Sequence, residues 1–81
     1  MWGIMENRQD HFAYCVQIFG GVTAFSRRIG IDERALRRFI NGERPISDGL
    51  LADTTKALRA LITETNEAAE QISATVQADP R

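Results

Sequence analysis

Three glycine stops divide the middle of this chain into pieces too short for anything but small, packed helices. Gly20-Gly21, Gly30 and Asn41-Gly42 bracket two stretches, Val22–Ile29 and Glu33–Asn41. A glycine just past a helix takes a left-handed backbone readily and ends it. Pro45 then keeps the second piece from resuming. At about 100° per residue, Val22, Phe25, Ser26 and Ile29 share one face of the first stretch, and Thr23, Ala24, Arg27 and Arg28 the other. The second stretch sorts more sharply. Ala35, Leu36, Phe39 and Ile40 cover one side, and Arg34, Arg37, Arg38 and Asn41 lie within an arc of about 100° opposite them. The spacing therefore predicts two short amphipathic helices hinged at Gly30.

The flanks read as helices too. From Glu6 to Phe19, the apolar residues Phe12, Cys15, Val16 and Phe19 recur at three- and four-residue steps, with Asn7 as a start signal. Ser47 and Asp48 cap a last helix that can run from Gly49 to about Gln77, roughly 43 Å. Leu51, Thr54, Leu58, Leu61, Thr65, Ala68, Ile72 and Thr75 give it a heptad-like seam. That seam is weak beyond Ile62, where Ile72 is its only large apolar member. Residues before Glu6 read as loose, with Trp2 and Ile4 able to fold back as a lid, and Asp79-Pro80-Arg81 reads as a frayed end. The expectation is an all-α chain: a small four-helix domain over residues 1–62, and a helical extension over 63–81 as dimerisation element.

Charge narrows the partner. The 81 residues carry a net −1, but unevenly. Residues 22–45 hold six arginines against three carboxylates, a net +3, while residues 1–21 carry −1 and residues 46–81 carry −3. Every positive charge in the middle is arginine, which suits bidentate contacts to phosphates and base edges. The single cysteine, Cys15, excludes an internal disulfide and so a disulfide-stapled secreted scaffold. No apolar run reaches the roughly 20 residues of a membrane span, and the first residues lack the basic start of a signal peptide. A cytoplasmic protein is expected.

Two short helices joined at a glycine turn, the second presenting polar side chains outward, is the helix-turn-helix arrangement. Each physical demand has a residue. Ser26 is small enough for a close helix crossing, Gly30 turns the chain, Ile31 and Leu36 plug the angle, and Asp32 caps the second helix. The stretch from Phe19 to Ile46, FGGVTAFSRRIGIDERALRRFINGERPI, resembles the phage-repressor family (Cro and lambda-repressor-like, Xre-type). Glycine, plug, cap and Asn-Gly ending all fall in register over about a third of the chain. The helices at 6–19 and 48–62 fit more loosely.

The resemblance implies a lambda-repressor-like domain that binds double-stranded DNA. Its base-reading positions fall on Glu33, Arg34 and Arg38, with Arg37 beside them. Its phosphate contacts fall on Val22, Thr23, Asn41 and Arg44, with Arg27 adding charge nearby. Two departures stand out. Ser26 replaces the family's usual Ala, and Val22 replaces a Gln whose side chain clamps phosphate. Symmetric dimers on inverted repeats are the usual solution for so small a module, so a homodimer is expected, held through Leu51, Leu58, Leu61 and Ile72. The function expected is a sequence-specific repressor of phage or mobile-element type, acting on an inverted-repeat operator and able to regulate its own gene. Two rivals remain open: an antitoxin-like or inhibitor protein whose C-terminal helix grips a partner protein, and an adaptor whose arginine face meets an acidic protein.

Other residues read as structural. Phe12, Phe19, Phe25, Phe39 and Cys15 are core candidates. His11 and Cys15 sit four apart, but two ligands do not make a zinc site. No nucleophile–base–orienter set exists. No enzyme activity, metal or cofactor is expected.

Overall fold

The computed structural model describes residues 7–78. Four helices account for most of them: α1 (Arg8–Ile18), α2 (Val22–Ile29), α3 (Glu33–Ile40) and α4 (Asp48–Ala78). The fold is all-α, with no strand among the described residues. The expected lid of Trp2 and Ile4 and the frayed end at 79–81 lie outside those residues.

Each helix boundary has a local cause. α1 starts at Arg8 because the Asn7 side chain accepts the Asp10 N–H at 3.1 Å. It ends two residues before Gly20. There Gly20 N–H donates to the Gln17 carbonyl at 2.9 Å and Gly21 N–H to the Val16 carbonyl at 3.0 Å. This paired closure uses left-handed glycine, and Gly20 has φ +106°. α2 stops at Gly30, whose N–H makes the last helical bond, to the Ser26 carbonyl at 2.9 Å, and whose left-handed φ of +79° then turns the chain away. α3 opens on Asp32, whose carboxylate accepts from the N–H groups of Arg34 and Ala35. It closes with the same paired bonds as α1, Gly42 N–H to Phe39 and Glu43 N–H to Arg38. α4 begins one residue earlier than the sequence predicts, and the Ser47 hydroxyl accepts the Leu50 N–H at 3.1 Å.

The core lies where these helices cross. Phe12, Val16, Phe25 and Leu36 are fully buried, and Ile46 and Leu50 nearly so. Burying side chains of this size stabilises by about 1.5–3 kcal/mol each. The Phe12 ring meets Phe25 edge-on at 5.7 Å and Phe39 at 6.1 Å, spacings that suit aromatic quadrupoles. The one buried polar side chain among the described residues is Thr54, whose hydroxyl donates to the Leu50 carbonyl at 2.8 Å.

Two long-range clamps tie α1 to the far side of the domain. The Arg8 guanidinium donates to the Ile46 carbonyl at 3.0 Å and to Asp48 at 2.6 Å. The Gln9 amide donates to the Ile40 carbonyl at 2.8 Å. Together they fix the loop between α3 and α4, and so the angle at which α3 stands.

α4 has two unlike halves. Its first turns pack on α2 and the core through Leu50, Leu51 and Thr54. Residues 62–77 are exposed on every side. The result is elongated, with a radius of gyration of 16.2 Å and a longest extent of 55 Å. A compact chain of this length would have a radius near 12 Å.

Candidate nucleic-acid interface

α3 is held to the core by one face. Leu36 is fully buried, and Ala35, Phe39 and Ile40 are half-buried. The helix period then turns Arg34, Arg37 and Arg38 to solvent, and all three are exposed. Arg34, Arg38 and Arg44 line one hollow of about 290 Å3, together with Asp32 and Ala35. Two of these arginines come from α3 and the third from the loop that follows it. Arg44 is placed by its contact with an aromatic ring. Its guanidinium sits over Phe39, 5.3 Å from the centroid, and Phe39 is itself packed on the core.

The six arginines of the basic middle are not equivalent. Arg28 is taken up by Glu64 at 2.6 Å and lies 5.7 Å over the Phe19 ring. Arg37 pairs with Glu33 one turn earlier at 3.2 Å, and Arg38 reaches Glu43 only at 4.0 Å. Among the described residues, Arg27, Arg34 and Arg44 have no carboxylate within ion-pair distance. Exposed pairs of the Arg37–Glu33 kind are worth about 0.3–0.5 kcal/mol, so an incoming anion can exchange them at little cost. Glu33 is half-buried beside Arg37.

The sequence-predicted phosphate set is distributed over two places. Asn41 and Arg44 are exposed just past α3. Val22, Thr23 and Arg27 belong to α2. The Val22 side chain packs against the core, which leaves only its backbone N–H to offer. Thr23 and Arg27 are exposed one turn apart. The first turn of α2 has no side-chain cap, because Gly21 precedes it. Its first N–H groups stand at the positive end of the helix dipole, a geometry suited to phosphate.

Two features escape sequence reasoning. Ser26 does more than leave room, since its hydroxyl donates to the Ile31 carbonyl at 2.6 Å and locks the turn between α2 and α3. Arg8 stands beside Gly42 and Arg44 at the edge of the basic region, with its charge given to Asp48. The Arg8–Ile46 clamp spans 38 residues, which no local spacing reveals.

The residues expected to pair two copies are divided by the structure. Leu51 is half-buried and packed on the core. It belongs to this domain's own interior, because the first turns of α4 lie against it. Leu58 and Leu61 are half-buried at the near end of an apolar groove, and Ile72 is 66% exposed.

Cys15 is buried, and loss of hydration pushes its thiol above the ordinary range. That disfavours the thiolate that a nucleophile or metal ligand needs. Among the described residues no group of three or more His, Cys, Asp or Glu converges as a metal site, and no helix is long and apolar enough to cross a membrane. No family model matches the chain, nor does any curated protein or solved structure.

Proposed function

We propose that this chain is a sequence-specific DNA-binding transcriptional regulator, a small repressor of phage or mobile-element type built on a helix-turn-helix. The convergence of Arg34, Arg38 and Arg44 on one hollow at the solvent face of α3 carries this reading. An eight-residue helix fixed by one apolar face and bearing arginines on the other is the right width for a major groove.

In this reading α3 enters the groove. Arg34 and Arg38 donate in pairs to guanine O6 and N7, and Glu33 accepts from a cytosine amino group. Arg37 exchanges its partner Glu33 for a base or a phosphate. The backbone N–H groups of Val22 and Thr23, with Arg27, Asn41 and Arg44, bind phosphates and set the register. Two copies related by a twofold axis read an inverted repeat, and the work is done in the cytoplasm.

The apolar side of distal α4 favours a second reading, in which an antitoxin-like or inhibitor protein uses that helix to hold a different protein. It differs from the first in stoichiometry, as tested below.

The test is selection from randomised duplexes, followed by fluorescence anisotropy on the enriched sequence with excess unrelated DNA. Saturable binding that survives the competitor is expected. Arg34→Ala and Arg38→Ala should each weaken it by about 5- to 150-fold, the worth of one arginine–guanine pair. Arg59→Ala, exposed on α4, should change it little. No enriched sequence, or binding that the competitor abolishes, would leave only a generic phosphate surface and sink the proposal.

A further inference from the structure

Beyond the domain, α4 carries a second pattern. Leu58, Ile62, Thr65, Ala69, Ile72 and Val76 follow one another at alternating four- and three-residue steps. This is the a/d alternation of a coiled-coil seam. Ile62, Ile72 and Val76 are 68%, 66% and 68% exposed. At the near end the seam widens into an apolar groove of about 720 Å3, where Ile18 of α1 faces Leu58, Ile62 and Ala69. Water therefore reaches an apolar stripe on a helix whose residues 62–77 are all exposed. Isolated helices of about 15 residues are marginal in water, so this half needs a neighbour.

We propose that the seam from Leu58 to Val76 pairs with the same face of a second copy of this chain. Spacing is the first ground. Strict four-three alternation lets two like helices interlock along the whole stripe, and a globular partner imposes no such rule. Charge is the second. With Ile62, Ala69 and Val76 at a and Thr65 and Ile72 at d, the flanking e and g positions past Ile62 are Asn66, Ala68, Ser73 and Thr75. None is charged. Glu64, Glu67 and Glu70 fall at the outer positions, so past Ile62 two acidic copies meet without like charges at the boundary, and the charged flank of the near end is Arg59, at e beside Leu58. Past Ile62 a partner chosen by charge would find nothing to pair with. Thr65 and Ala69 at the centre are small and allow close approach.

The pairing deepens the two-copy element of the DNA reading, yet it is tested without DNA. The full chain is followed by analytical ultracentrifugation from low to high micromolar concentration, alongside Ile62→Glu, Ile72→Glu and the double variant. Ala74→Glu, exposed at an outer f position, is the control. The wild-type chain and Ala74→Glu should double in mass as concentration rises, and their melting temperature should rise with it. The seam variants should remain monomeric with a melting temperature independent of concentration, and their cooperative unfolding shows that the core is intact. A wild-type chain that is monomeric throughout overturns the proposal, as does a dimer that survives the double substitution. A chain monomeric alone but taking up a different protein in equimolar ratio also overturns it, in favour of the antitoxin-like reading. Loss of DNA recognition with the dimer retained would count against the DNA reading only.

Discussion

Gly30 and Gly42 have nearly the same backbone angle, φ +79° and +83°, in different surroundings. A Cβ on Gly30 would meet nothing within 4 Å, whereas one on Gly42 would lie 2.8 Å from the Gln9 side-chain oxygen. Gly30→Ala should therefore cost only the left-handed backbone term, about 1–2 kcal/mol. Gly42→Ala should cost more, because it also pushes aside the amide that donates to Ile40. The two effects separate in a double-mutant cycle read by urea unfolding. In a Gln9→Ala background, Gly42→Ala should fall to the Gly30→Ala value. Equal costs for the two glycine variants in the wild-type background would show that Gln9 is not held as described. The glycines themselves were legible in the sequence, because a helix stop is a local signal. Gln9 was not, because its partner lies 31 residues away.

At the scale of elements, α2 and α3 matched their sequence reading almost to the residue. Their apolar and polar faces are separate, and each is bounded by glycine. The exposed arginine face of α3 was legible for the same reason, since a face can be assigned once its opposite is known to be core. α4 was harder. Its core stripe (Leu50, Leu51, Thr54) and its outer seam (Leu58, Ile62, Thr65) run into each other on one helix, and periodicity alone does not show where one ends. That is why the expected pairing set mixed Leu51, which packs on the core, with the exposed Ile72. The charged contact that ties the seam's near end to the domain is Arg28–Glu64. Glu64 is more than half exposed, and exposed pairs contribute about 0.2–1 kcal/mol. A double-mutant cycle of Arg28→Ala and Glu64→Ala on thermal unfolding should give a coupling within that range, shrinking at high salt. A coupling that is larger and insensitive to salt would mean that the pair fixes the direction of α4 rather than decorating it.

The whole molecule is electrically divided. Its net charge of −1 would suggest no attraction to a polyanion, but the total conceals arginines on α3 and its following loop and carboxylates on distal α4. The molecule extends 55 Å along its longest axis, and residues 62–77 of α4 are exposed. Glu67 and Glu70 are exposed, with no basic partner within ion-pair distance among the described residues. If α3 holds the DNA and α4 projects away, these carboxylates act on it only through the solvent. Screening then decides their effect, since the Debye length is about 30 Å at 0.01 M salt and about 8 Å at 0.15 M. Replacing both with glutamine (Glu67→Gln with Glu70→Gln) should tighten DNA binding at the lower salt and leave it nearly unchanged at the higher. Both positions lie outside the seam, so the oligomeric state should not move. Anisotropy at the two salt concentrations checks this directly. Tightening of equal size at both would place the carboxylates against the DNA, and the tail would then lie along the duplex instead of leading away from it.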